Sequence, residues 1–232
     1  MFYFLLAPLM TYNVILIAAA IIPAIFLMVK VYQSDHLEKE SSYMLWNLIK
    51  AGVLSSLLAL ILEKVLTGFI GMNNPFLLYF VVVALSEEGS KYFLLKRNTW
   101  RALEFNCQYD GVVYATFVSL GFALWENISY VLHFGFSTAL VRAVTAIPGH
   151  TCFGVFMGVF YGISRKLENN GLHSASLLYR FLAIAVPVLL HGSYDYIAST
   201  EGNVLYFVLF IAGLFGISYW LVMKMSREDR FI

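Results

Sequence analysis

An all-α, polytopic membrane fold of about seven transmembrane helices is what this sequence predicts, on three observations. Of its 232 residues, 60% are hydrophobic and 12% charged, where soluble domains carry roughly a quarter charged residues. Seven apolar stretches each approach the length a helix needs to cross a bilayer. Lysine and arginine gather in alternate loops between those stretches, the asymmetry that orients membrane proteins.

The elements follow in order. The first span, residues 8–31, has no lysine or arginine ahead of it. A cleavable signal peptide opens with a charged segment, so this run is expected to be a true span. The polar "QSDHLEKESS" ends it, and the second span covers 46–67. The third, 75–95, opens at Asn74-Pro75, an N-cap followed by proline in the first turn. "KRNTWRALEFNCQYD" separates it from the fourth, 111–133. The fifth, 142–163, and the sixth, 177–198, flank "SRKLENNGLHS", and the seventh covers 204–225. Pro148 and Pro187 are expected to bend their helices.

Of the 15 lysines and arginines, all but Lys64, Arg142 and Lys91 lie in or beside the first, third and fifth loops and the C-terminal tail. This places the N-terminus outside and the C-terminus in the cytoplasm of a multi-pass cell-membrane protein. A net charge of +1 leaves no basic surface for nucleic acid. Cys107 falls in a polar loop and Cys152 in an apolar span, which argues against a disulfide framework. With no repeat and no linker, residues 1–232 read as one membrane-embedded domain.

A charge at a helix centre costs about 2.5–3.5 kcal/mol on insertion scales, so buried ionisable groups need a partner or a role. Away from span ends, they are Glu87, Glu88 and Lys91 in span three, Glu126 in span four, His150 in span five, and His191 and Asp195 in span six. Spans one, two and seven have none near their centres. At about 1.5 Å per residue, Glu126, His150 and His191 each lie roughly 10–12 Å in from the outer face, with the glutamate pair about a turn deeper. Helices of alternating direction thus bring these groups to one level in the outer half of the bilayer.

Spacing shows which groups can cooperate. Lys91 stands i,i+4 from Glu87 and i,i+3 from Glu88, and His191 stands i,i+4 from Asp195. A purely structural Glu88–Lys91 pair is possible, but one lysine does not easily neutralise two carboxylates. Asp195 is equally readable as a solvated end residue. His36, His133 and His173 fall in loops or at a helix end. Gly154, Gly158 and Gly162 form a stripe that packs helices closely.

"EEGSK" fits E-E-x-x-K, "FALWE" fits F-x-x-x-E and "HGSYD" fits H-x-x-x-D. In this order, on successive spans, they resemble the PrsW family of intramembrane proteases, relatives of the type II CAAX prenyl proteases and bacteriocin-processing enzymes. The resemblance covers about residues 75–198. The prenyl-protease branch has arginine after its glutamate pair, histidine ending the second motif and asparagine ending the third. Lysine, glutamate and aspartate stand there in this chain, which favours the PrsW branch. The resemblance implies proteolysis of a membrane-anchored substrate: the first, outer-side cut of a single-pass anti-sigma factor, releasing an extracytoplasmic-function sigma factor.

No serine or cysteine has a base at helical spacing, so attack by activated water is the expected route. Glu87 is the candidate general base and Glu88 the partner of Lys91, with the two roles open to exchange. His150 and His191 are candidates to stabilise the oxyanion or protonate the leaving amine. Glu126 would position water or a histidine, and Asp195 would orient His191. No cofactor is required on this route. A zinc variant would use His150, His191 and Glu126 as ligands, with water in the fourth place. The rival class is a proton- or ion-coupled transporter, because buried carboxylates and histidines also form proton relays. No pair of matching half-sequences supports it. A structural scaffold, the third class, would tolerate Glu87→Gln.

Overall fold

A computed structural model describes the chain from Phe2 onward and its side chains from Tyr12 onward. The helices are α1 (Phe2–Gln33), α2 (Ser42–Ile70), a π-helix (Leu77–Ala84) that continues directly into α3 (Leu85–Thr99), α4 (Asp110–Phe134), α5 (Phe136–Val144), α6 (Ala146–Asn169), α7 (His173–Ser199) and α8 (Val204–Arg227). Among the described residues, six stretches are long and apolar enough to cross a membrane. They are α1, α2, α4, α5 with α6, α7 and α8. The expected third span is the π-helix with α3. It falls outside that set because Glu87, Glu88 and Lys91 interrupt its apolar run. The all-α, multi-pass membrane fold holds, with this helix as the polar one.

Two details differ from the expectation, and both follow from proline. The fifth span is two helices, α5 and α6, broken at Thr145 (φ −122°, ψ −73°). Pro148 lies in the first turn of α6, where its missing N–H costs nothing. It therefore starts a helix instead of bending one. Pro187 lies inside α7. Asn74 caps the third span as expected: its Oδ1 accepts from Leu77 N–H at 3.2 Å.

Helix α4 is the centre of the bundle. It is the most enclosed of the six spans, with 78% of its apolar window buried. It packs against α1, α2, α3, α5 and α6. Its contact with α6 is made by the glycine stripe. A Cβ on Gly158 would lie 2.4 Å from Gly111 O and 2.5 Å from Val112 Cα. Gly154 meets Ser119 and Thr116 in the same way. Backbone cannot yield as a flexible side chain can, so we expect Gly158→Ala to cost about 1–3 kcal/mol, the usual range for overpacking. A lowered thermal midpoint of the purified protein checks this. Large apolar side chains on the outer surfaces of α1, α2 and α8 face outward, as lipid contact requires.

The loops bearing most of the lysines and arginines meet at one end of the bundle. Ser41 Oγ donates to Glu104 at 2.8 Å, and Asn106 Nδ2 donates to Glu38 at 3.0 Å. The C-terminal tail bridges the same loop through Cys107 and Phe231. Gln108 N–H donates to Arg230 O at 3.1 Å, and Ile232 N–H to Asn106 O at 2.7 Å. Cys107 and Cys152 are both free and buried.

Candidate active site

At the other end of α4, four helices bring their ionisable residues together around Lys91. This side chain is fully buried. Its Nζ lies 2.7 Å from Glu88 Oε1, 3.3 Å from Glu87 Oε2 and 3.2 Å from His150 Nδ1. The face of Phe122 is 3.9 Å away, a cation–π contact in a desolvated setting. Two carboxylates, an imidazole and an aromatic face thus surround one ammonium.

The histidines are held by carboxylates. His150 Nε2 is 2.8 Å from Glu126 Oε2. With the Lys91 ammonium at Nδ1, that nitrogen accepts and Nε2–H donates to Glu126. His191 Nδ1 is 2.9 Å from Glu88 Oε1, and its Nε2 is 3.4 Å from Asp195 Oδ2. Phe153 stacks on His191 with centroids 4.8 Å apart and planes at 18°. The two imidazoles lie edge to face, 5.4 Å apart.

Each sequence motif thereby acquires a physical content. In E-E-x-x-K, the lysine neutralises the pair from one turn below. In F-x-x-x-E, both residues lie on one face of α4: Phe122 covers the ammonium and Glu126 grips His150. In H-x-x-x-D, one turn of α7 sets Asp195 beside the second nitrogen of His191.

Every residue singled out in the sequence is in this cluster or borders it. A cavity of about 560 Å³ opens beside it. Glu87, Glu126, His150, His191 and Asp195 line the cavity; Glu88 and Lys91 lie behind its wall. Adjacent helix positions point about 100° apart, so α3 can present Glu87 while keeping Glu88 inside. Glu88 has no exposed surface, and its Oε2 is buried without a hydrogen-bond partner.

Two cavity residues were not picked out from the sequence. Glu63 lines the cavity from α2, which runs to Ile70, beyond the expected end of that span. Arg142 of α5 pairs with Glu126 at 2.8 Å and donates from Nε to Asn127 Oδ1 at 2.8 Å. Arg142 had entered only the loop charge bias, and Glu63 had not been singled out. An acid near the outer end of the second expected span and a base at the outer end of the fifth was the available signal. His36, His133 and His173 stand apart from the cluster, with His133 on Ser129 O and His173 on Glu168.

The metal donors that converge differ from the expected set. The ligand atoms of Glu87, Glu88, His150 and His191 lie within 4.8 Å of one another. Glu126 is not in that group; its Oε2 is engaged by His150 Nε2 and Arg142. Two carboxylates and two imidazoles, with one carboxylate oxygen unpartnered, form a donor set that fits a zinc-class ion. The Lys91 ammonium is the positive charge already among them.

The helix that carries the glutamates is positioned by a close contact. A Cβ on Gly192 would lie 2.5 Å from the ring of Phe80 in the π-helix. π-Helical segments are rare and concentrate at functional sites. This one seats its aromatic ring on the residue next to His191. We expect Gly192→Ala to push the π-helix away from α7 and loosen the Glu88–His191 contact. The measurable result is at least tenfold lower proteolysis with the protein still accumulating in the membrane.

The family model for "PrsW family intramembrane metalloprotease" matches residues 40–221, which include all three motifs. The chain belongs to the PrsW family of intramembrane proteases. Protease PrsW of Bacillus subtilis (strain 168) is 32% identical over 216 residues, 93% of this chain and 95% of the relative. Protease PrsW of Oceanobacillus iheyensis is 32% identical over 185 residues, covering 78% and 82%. That of Clostridioides difficile (strain 630) is 32% identical over 189 residues, covering 78% of each. No solved structure matches the chain. Membership of the PrsW family sets the chain among intramembrane proteases and away from the transporter class.

Proposed function

We propose that this PrsW-family chain hydrolyses a peptide bond of a single-pass membrane protein, near the outer face of the bilayer, with Glu87 as the general base on the attacking water. The observation that carries this reading is the division within the glutamate pair. Glu87 reaches the cavity beside both histidines, and Glu88 is sealed behind it against Lys91.

Each residue then has a task. Glu87 takes a proton from water inside the cavity. Glu88 fixes His191 through Nδ1, so that Nε2 faces the cavity beside Asp195. That nitrogen is placed to give a proton to the leaving amine. His150, held by Glu126 and Lys91, presents its ring to the same space. Arg142, paired with Glu126 at the cavity wall, adds positive charge where an oxyanion develops.

If a zinc-class ion binds, Glu88, His150 and His191 would hold it, and Glu87 would remain the base. Such an ion supplies a Lewis acid that polarises the carbonyl and acidifies bound water. Metal content after purification, and activity after chelation and readdition of zinc, distinguish the metal route from the glutamate route.

The charge asymmetry of the loops supports an outer-side cut, since the cluster lies at the end of α4 remote from the basic loops. The substrate class this reading favours is an anti-sigma factor. To test it, new termini of single-pass membrane proteins would be mapped in cells under envelope stress, with wild type beside Glu87→Gln at equal membrane abundance. A truncated anti-sigma-like protein found with wild type alone supports the reading. Identical termini in the two strains refute it.

A further inference from the structure

A second group of carboxylates lies at the opposite end of the bundle. Asp35 and Glu40 come from the α1–α2 loop and Asp110 from the first residue of α4. Their ligand oxygens lie within 4.8 Å of one another, and all three residues are buried. Asp110 and Glu126 stand about 24 Å apart along α4 at 1.5 Å per residue, so this group is separate from the protease site.

Three buried acids packed together repel one another and need either protons or a cation. Asp35 is 1% exposed, and neither of its carboxylate oxygens has a hydrogen-bond partner. Asp110 Oδ1 is also buried without one. The remaining oxygens are held in place. Asp110 Oδ2 accepts from the N–H groups of Asn106 (3.0 Å) and Cys107 (2.7 Å). Glu40 Oε2 accepts from Tyr114 Oη at 2.8 Å.

The nearest lysine forms no ion pair with the group. Lys39 Nζ bonds the backbone oxygens of Tyr32 and Asp35 instead of the carboxylates. Among the described residues, no side-chain cation pairs with any of the three acids. A fourth acid, Asp229 of the C-terminal tail, adds negative charge close by: its Oδ1 accepts from Tyr109 N–H at 2.8 Å and its Oδ2 is buried and unpartnered.

We propose that Asp35, Glu40 and Asp110 form a binding site for a hard divalent cation of the calcium or magnesium class. All-oxygen, carboxylate-rich donors with no thiol or imidazole select such ions over zinc. The bound ion would join the α1–α2 loop to the start of α4, the helix that carries Glu126 and Phe122 at its far end.

Terbium tests this, because it takes the same oxygen ligands and is sensitised by a nearby tyrosine such as Tyr114. The purified full chain, in detergent and stripped by chelation, would be titrated with terbium. Saturable emission that calcium or magnesium displaces is expected, whichever ion competes more strongly naming the native class. Its apparent affinity should fall at least tenfold in Asp35→Asn and in Glu40→Gln, and stay unchanged in Glu201→Gln, which alters an exposed acid between α7 and α8. The chosen ion should also raise the thermal midpoint of wild type and not that of Asp35→Asn. Should one variant fail to fold, the other decides. Absence of emission, or emission equal in wild type, Asp35→Asn and Glu40→Gln, would overturn the proposal in favour of a proton-held cluster.

Discussion

Glu87→Gln should lower peptide-bond cleavage by about 10²–10⁴-fold, the usual contribution of a general base. The amide keeps the size of the carboxylate but cannot take a proton from water. Glu87 and Lys91 are 3.3 Å apart, a longer contact than the 2.7 Å between Glu88 and Lys91. Folding therefore depends more on Glu88 than on Glu87. Glu87→Gln should accumulate in the membrane as wild type does, which separates lost chemistry from lost structure. Glu88→Gln should differ in kind. It weakens the hold on both Lys91 and His191, so it should reduce thermal stability and activity together. Rate and thermal midpoint measured side by side on the two variants distinguish the roles that the sequence left exchangeable.

Lys91→Met should be the most damaging single change for stability. The side chain has no exposed surface and neither has Glu88. Removing one partner of a buried pair leaves an uncompensated charge, at a cost of about 3–5 kcal/mol. Domains are stable by only about 5–15 kcal/mol, so poor accumulation is expected. Methionine fills much of the space and keeps contact with the Phe122 ring, which isolates the charge effect from a cavity effect. The double variant Lys91→Met/Glu88→Gln should recover part of the loss, because the more deeply buried of the two anions is then removed together with its partner. A Lys91→Met protein as stable as wild type would show that the ammonium does not hold the carboxylates together.

Much of this site was legible because helical periodicity is strict. The i,i+3 and i,i+4 spacings of Glu87, Glu88 and Lys91 and of His191 and Asp195 translate directly into contacts. The similar depth of Glu126, His150 and His191 followed from span ends alone. Other features were not legible. A one-residue offset cannot say which glutamate faces a cavity; that depends on how α3 is rotated against α7 and α4. The π-helix has the composition LLYFVVVA, apolar and compatible with an ordinary helix. Within it Phe80 packs on Gly192, a contact that joins residues far apart in sequence. Helix α5 was hidden because its apolar residues merge with those that follow, and the break at Thr145 depends on Pro148 three residues later. Glu63 and Arg142 were not singled out because each lies within a few residues of an end of its expected span. The donors that converge include the expected His150 and His191, with the glutamate pair in place of Glu126. Glu126 lies at the same depth as the histidines, but Arg142 and His150 occupy its oxygen.

The most direct test is cleavage by the purified chain in lipid vesicles, with wild type beside Glu87→Gln at equal protein content. The substrate would be the single-pass protein identified by mapping cellular termini. Wild type should produce new termini near the outer end of the substrate's span, with the Glu87→Gln rate at least about a hundredfold lower. Equal rates for the two proteins would show that Glu87 is not the base and would contradict the central claim.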